Sequence, residues 1–226
     1  MEKLDLKFWR HAFDRLVAAF EQAEVRLCGY DGAIGDGDHG TSMLLGLREV
    51  RETLRRDPVS SAGELFSRAG EAFLTAVGGV TGIVFGSLFE AAGQSVAGLP
   101  SLDAAALHRM FAAGLAAVKK RAKVVEGDKS MVDALSPAAE ALAVAARRGE
   151  SGSVALERAA RAAEAGMDAT IPMEGKVGRA RYQAAKGRGN VDAGAASICL
   201  FFQTIADAAG ISEQDAPHEA PRLPGS

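Results

Sequence analysis

Apolar residues recur at helical spacing along almost the whole chain. Between residues 6 and 27, Phe13, Leu16, Val17 and Phe20 fall on one face of a 3.6-residue period, which predicts an amphipathic helix. Met43, Leu44, Leu47 and Val50 predict a second helix, stopped by Asp57-Pro58. The same periodicity predicts helices over 61–77, 81–97, 103–119, 128–148, 153–170 and 193–209, with Ser101 or Asp103 capping the fifth and Pro137 bending the sixth. No segment alternates with period two and none reads as a hairpin, so the expected fold class is all-α, about eight helices in one domain over residues 1–212. The remaining residues, 213–226, are polar and proline-rich, and the expectation there is a disordered tail.

Composition narrows the class. A chain of 226 residues can bury one large core, and its 48% hydrophobic content with a heavy alanine bias favours helix. A formal net charge of −3 supplies no basic field for nucleic acid. Cys28 and Cys199 lie far apart, with neither metal nor redox spacing, and are expected to be core thiols. Charges interrupt the first residues, so no signal peptide is predicted, and the apolar stretches 77–88 and 193–202 are short or broken by glycine. The expectation is a cytoplasmic protein that binds neither membrane nor nucleic acid.

The candidate chemistry sits between the helices. Tyr30-Asp-Gly-Ala-Ile-Gly-Asp-Gly-Asp-His-Gly-Thr-Ser-Met43 places Asp31, Asp36, Asp38 and His39 among four glycines. Asp and Gly are poor helix and strand formers, so a loop is predicted. Three carboxylates held close together repel one another, and a hard divalent cation with oxygen ligands relieves that repulsion, which points to magnesium. Thr41 and Ser42 are good N-caps, so the amides of the following helix are expected to face the metal and take phosphate. An EF-hand fails on spacing, because Leu47 stands where the closing glutamate belongs. Gly35, Gly37 and Gly40 match a dinucleotide fingerprint in spacing, but no strand precedes them and no βαβ unit follows. A plain Asp/Gly-rich surface turn is the alternative.

Three further junctions carry signal. Gly78-Gly-Val-Thr-Gly82 opens the fourth helix, where glycine permits either close approach to a phosphate or close helix packing. Gly127-Asp-Lys-Ser-Met131 opens the sixth and offers a helix cap or a surface for a flat ring. Gly175 to Tyr182 and Lys186 to Gly194 bring arginines onto a glycine-rich stretch, suited to clamping a phosphoryl group or to plain solvation.

Taken in order, the segments at residues 31–43, 78–86, 127–133, 178–182 and 189–195 resemble the L subunit of dihydroxyacetone kinases. The resemblance implies an antiparallel barrel of eight helices whose loops at one end bind ADP or ATP and two magnesium ions. It assigns Asp31, Asp36 and Asp38 to the metals. His39, Gly40, Thr41, Ser42, Thr81 and Gly82 match phosphate-binding positions, and Ala122, Ser130 and Met131 match positions near the adenosine. Arg179 matches an arginine at the phosphates and, with His39, is the candidate catalytic residue, while Asp192, Ala193 and Gly194 match the segment that closes over the nucleotide. A separate K subunit that holds the ketose through a histidine is implied as partner, with a phosphotransferase-system phosphocarrier as a second.

Ser42, Thr81, Ala122, Asn190 and Ala193 depart from the family's usual asparagine, serine, glycine, histidine and proline. The first three replacements are small or polar and can keep a nucleotide loop, whereas Lys186-Gly-Arg-Gly-Asn190 alters the segment that closes the site, which leaves room for a four-carbon ketose in place of dihydroxyacetone. Val191-Asp-Ala-Gly194 also resembles the nucleotide domain of fatty acid kinases, which normally carries threonine at the position of His39. A nucleotide-sensing module without turnover is the non-enzyme alternative.

Overall fold

Asp5, Ser61, Asp103 and Ser151 each start a helix with a side-chain oxygen that accepts an otherwise unpaired amide of the first turn. Their partners are Phe8 N at 3.0 Å, Glu64 N at 3.1 Å, Ala106 N at 2.8 Å and Val154 N at 3.3 Å. In this computed structural model, which describes residues 4–178, 180–182 and 187–210, these caps open α1 (Leu6–Gly32), α3 (Ala62–Ala76), α5 (Ala104–Ala122) and α7 (Gly152–Ala169). Between them lie α2 (His39–Arg56), α4 (Gly79–Ser95), α6 (Val132–Arg147) and α8 (Ala193–Gly210). Among the described residues there is no strand, only one isolated bridge between Asp5 and Ser101. The proline-rich tail, Arg179 and residues 183–186 lie outside the described residues.

Each helix packs on the next in sequence, and α8 packs back on α1, so the eight close into an antiparallel ring. Large apolar side chains fill its interior. Trp9, Phe13, Phe66, Phe73, Phe85, Phe89, Phe111 and Phe202 are almost fully buried. Their rings form one connected series, from Phe8 on Trp9 at 5.0 Å through Phe66, Phe89 and Phe85 to the His39 imidazole at 6.3 Å. The α8 helix is long and apolar enough to cross a membrane, but most of it is buried as one wall of this core.

Several boundaries differ from expectation. The first helix runs to Gly32, so Asp31 sits in its last turn and the loop proper is only 33–38. That extension holds because the Asp31 carbonyl still accepts the amides of Ile34 and Gly35, at 2.9 and 2.5 Å. Asp38, not Thr41 or Ser42, is the N-cap of α2, and the Thr41 hydroxyl instead donates to Glu24 Oε1 on α1 at 2.9 Å. The sixth helix starts at Val132, and Asp103 rather than Ser101 caps the fifth. Pro137 lies inside α6, where its missing N–H frees the Asp133 carbonyl, and α7 approaches both of them at Gly166. Cys199 is a buried core thiol, whereas Cys28 is only half-buried and lies 3.7 Å from the Thr41 hydroxyl.

The seam between α3 and α4 depends on a missing side chain. A β-carbon at Gly70 would lie 2.6 Å from Glu90 N and 2.7 Å from the Gly86 carbonyl, both backbone atoms that cannot step aside. Gly70→Ala should therefore lower unfolding free energy by roughly 1–3 kcal/mol, the usual cost of overpacking. Gly29→Ala, at an exposed α1 position with nothing within 4 Å, should raise it by roughly 0.5–1 kcal/mol. Chemical denaturation of both variants checks the contrast, and equal effects at the two positions would refute the seam.

Candidate functional site

Alternation of direction around the ring places the junctions α1–α2, α3–α4, α5–α6 and α7–α8 at one end. These four junctions hold every candidate segment read from the sequence. At the first, the loop 33–38 folds over the Asp31 carboxylate, whose Oδ2 accepts Gly37 N at 2.8 Å and Asp38 N at 3.1 Å. One carboxylate oxygen from each of Asp31, Asp36 and Asp38 lies within 4.8 Å of the other two. A side chain at Gly35 would strike the Asp31 carboxylate, so the glycine makes the tight loop possible. Three converging carboxylate oxygens, two of them on exposed residues, fit a hard divalent cation such as magnesium.

Three of the four helices that begin at this end lack the side-chain caps found at the other. Neither Asp38 at α2 nor Gly78 at α4 makes a side-chain cap bond, nor does Met131 at α6. At α6 the Ser130 hydroxyl oxygen accepts Val132 N at 3.3 Å, while Asp133 braces the preceding turn by accepting the amides of Ser130 at 2.8 Å and Gly127 at 2.5 Å. The first turns of α2 (His39, Gly40, Thr41) and α4 (Gly79, Val80, Thr81) are therefore left with amides that a bound anion could use. The glycine turn serves both purposes weighed for it. A side chain at Gly82 would collide with the Val77 carbonyl, which is packing, whereas Gly78 and Gly79 have nothing within 4 Å, and Gly79 has the left-handed φ of +69° that suits glycine.

His39 lies buried, its Nε2 2.8 Å from the Ser197 hydroxyl, so its ring joins the start of α2 to α8. Burial drives its pKa down to about 4, leaving a neutral imidazole near pH 7. Asp192 caps α8 by accepting Ala195 N at 2.8 Å. Burial of its carboxyl pushes that pKa up to about 7, against the backbone hydrogen bond and the Lys129 charge, which act to lower it. Gly194 faces Met131, with a β-carbon built on the glycine lying 3.2 Å from that of Met131. Ser130 is half-buried beside Met131, and Ala122 ends α5. Arg188 pairs with Glu174 at 3.2 Å and Arg181 stacks on Tyr182, both exposed.

Glu24, Thr170, Ser197 and Lys129 were not singled out by the sequence. Each acts on a residue far away in the chain, at a separation that periodicity does not register. Lys129 alone had a signal, since it stands inside a segment already marked for attention.

The two titrating groups have opposite effects on stability. For His39 the unfolded chain binds a proton near 6.5 and the folded one near 4, so stability is complete above pH 6.5 and falls as pH drops toward 4. Asp192 binds its proton near 3.8 unfolded and near 7 folded, so its contribution is present below about 4 and is lost as pH rises through 7. Asp192→Asn, which keeps a capping oxygen, should gain stability relative to the parent at pH 7.5 more than at pH 5, and His39→Gln should show the reverse. Urea unfolding at both pH values checks the signs, and parallel profiles for parent and variants would contradict both assignments.

Comparison with known proteins gives a consistent picture. The DAK2 domain family matches residues 33–207. The PEP-dependent dihydroxyacetone kinase, ADP-binding subunit DhaL, of Escherichia coli is 37% identical over 183 residues, 81% of this chain and 87% of that subunit. D-erythrulose kinase of Mycolicibacterium smegmatis is 33% identical over 205 residues, which are 90% of this chain but only 35% of the kinase. The crystal structure of the dihydroxyacetone kinase from C. freundii in complex with AMP-PNP and Mg2+ superposes with a TM-score of 0.69 at 28% identity, covering 88% of this chain and 33% of that one.

Proposed function

This chain belongs to the DAK2 domain family, with the L subunits of dihydroxyacetone kinases, and from that premise we propose that it is the nucleotide-binding, phosphoryl-donating subunit of a short-ketose kinase. One observation carries the reading: three aspartate carboxylates converge at the end of the barrel where α2 and α4 begin without side-chain caps. Carboxylates bind the metal face of a metal–nucleotide complex and uncapped amides bind its phosphate face. Asp31, Asp36 and Asp38 are the ligands for two magnesium ions, which when bound neutralise charge on the phosphate oxygens. The amides at His39, Gly40 and Thr41, with the Ser42 side chain, Thr81 and Gly82, cradle the phosphates. Ser130, Met131 and Ala122 border the adenosine, and Asp192, Ala193 and Gly194 close over it.

Phosphoryl transfer needs little covalent help from protein, so alignment and charge neutralisation are the main work of these residues. His39 serves by fixing the start of α2 on α8, since a buried neutral ring held by Ser197 is placed to orient that turn. Arg179, which the resemblance assigns to the phosphates, supplies positive charge to the phosphoryl group. The ketose is held by a K-type partner subunit, and the complex works in the cytoplasm. The resident nucleotide is ADP, recharged by a phosphocarrier of the phosphotransferase system, in keeping with the naming of the E. coli relative as PEP-dependent and ADP-binding. A four-carbon ketose is the second substrate reading, favoured by the similarity to D-erythrulose kinase. Reconstitution with the K-type partner, assaying both ketoses first with ATP alone and then with a phosphoenolpyruvate-driven relay, tests the whole scheme. Nucleotide binding without turnover under every condition would leave a sensing module.

The metal reading makes its own demand. A ligand that binds only the folded state adds RT ln(1 + [L]/Kd), about 2.7 kcal/mol at a hundredfold excess. Magnesium with ADP should raise the Tm far more than either alone, and Asp36→Asn or Asp38→Asn should abolish the combined shift while the helices stay folded. Equal shifts with and without magnesium would rule out a metal-bridged phosphate.

Binding and chemistry should separate at Arg179. Arg179→Ala should slow turnover of the reconstituted complex on the order of a hundredfold, with a much smaller loss of nucleotide affinity. Arg179→Lys should restore part of the rate, because an ammonium lacks the planar fork of the guanidinium. Normal turnover in Arg179→Ala together with a dead Arg188→Ala would move the clamp to the 186–190 segment.

A further inference from the structure

Lys129 combines two costs that local structure does not explain. Its backbone is left-handed, with φ +62°, a region that disfavours residues other than glycine, and its side chain is buried at 2% exposure. The ammonium is bonded on both sides. Nζ donates to the Thr170 carbonyl and to the Asn190 carbonyl, each at 2.5 Å. Thr170 ends α7 and Asn190 lies in the loop that leads into α8, so one charged group ties the turn at 127–131 to both.

The aliphatic stem is enclosed as well. A β-carbon at Gly187 would lie 3.2 Å from Lys129 Cε and 2.7 Å from Ile34 Cγ2, so glycine at 187 lets this loop settle on the lysine stem and on the aspartate loop together. Two more bonds hold the same segment: Gly189 N to the Ile171 carbonyl at 2.8 Å and Asp192 N to Thr170 Oγ1 at 3.0 Å. Only the lysine contributes a charge to this set, and charge-assisted bonds are about twice as strong as neutral ones. Burial lowers the Lys129 pKa, while the Asp192 and Asp133 carboxyls act to raise it.

We infer that Lys129 is a positioning residue whose ammonium fixes the segment 187–194 against the turn at 127–131, so that the start of α8 is already in place beside Met131 before a nucleotide arrives. A segment ordered in advance spares the binding step the cost of ordering it, which raises affinity without adding a contact to the ligand. The affinity part of this inference rests on the nucleotide reading above, whereas the fixing of the segment does not.

Lys129→Met keeps most of the stem and removes the charge, and Lys129→Gly also relieves the left-handed backbone. Hydrogen exchange on the chain without nucleotide should show the amides of Gly189, Asn190 and Asp192 exchanging at least tenfold faster in both variants, while those of Leu200 to Ile205 in the middle of α8 keep the parental rate. Calorimetry with magnesium and ADP should show affinity reduced tenfold or more in both. Unchanged loop protection would overturn the inference, and so would an equal acceleration across all eight helices, which would mark Lys129 as a general support of the fold. Faster loop exchange with affinity within twofold of the parent would overturn its role in the site. If the parent itself fails to bind magnesium and ADP, the nucleotide reading falls, and the exchange result alone decides whether Lys129 fixes the segment.

Discussion

Closure of eight antiparallel helices into a ring forces the chain to turn at only two places, and this constraint organises everything else. The four odd-to-even junctions share one end and the remaining connections share the other. The two ends are then built by different rules. At the far end Asp5, Ser61, Asp103 and Ser151 satisfy the helix starts with their own side chains. At the near end Asp192 caps α8, but α2 and α4 begin without such bonds, and three carboxylates are gathered beside them. Each missing cap forgoes about 1 kcal/mol, and the clustered charges add their repulsion. The aromatic interior supplies the stability that allows one end to be left in this state.

The interior also reaches the site. The ring series that starts at Phe8 ends on the His39 imidazole, and that imidazole bonds Ser197 on α8. A neutral histidine suits this place, because an imidazolium buried beside Phe85 would meet the same desolvation that lowers its pKa. Asp192 and Lys129 handle charge differently. Each is enclosed, each influences the titration of the other, and both are bonded to backbone, the aspartate to the Ala195 amide and the lysine to two carbonyls. Buried charges that hold backbone fix where loops lie, which a purely apolar contact does less specifically.

The sequence made the helices legible because each buries a long apolar stripe, and a 3.6-residue period over four or five turns is hard to mistake. The aspartate cluster was legible for a different reason: its members are neighbours in the chain, so the spacing alone places them together. Legibility failed where local and tertiary demands competed. Thr41 looks like a cap, but Glu24 on α1 takes its hydroxyl. Asp31 looks like a loop residue, yet α1 carries it because nothing after Leu27 breaks the ladder until Gly32. Gly82 and Gly79 look alike in sequence, and only the Val77 carbonyl shows that one is needed for packing while the other faces open space. Lys129 is the extreme case, since its two acceptors are carbonyls 41 and 61 residues away and any residue type could have offered them.

The same loop geometry bears on how the site would be used. Three bonds hold the segment that leads into α8, one from Lys129 to the Asn190 carbonyl and one each at Gly189 and Asp192. On the proposed reading this segment lies over the nucleotide, so release requires several of these bonds to open together, each worth about 0.5–1.5 kcal/mol and more where a charge takes part. A cover fastened in this way slows dissociation more than it strengthens any single contact. Slow dissociation suits a nucleotide that stays in place while its terminal phosphoryl group is passed on and replaced. It suits poorly an enzyme that must release ADP and take up fresh ATP in every cycle.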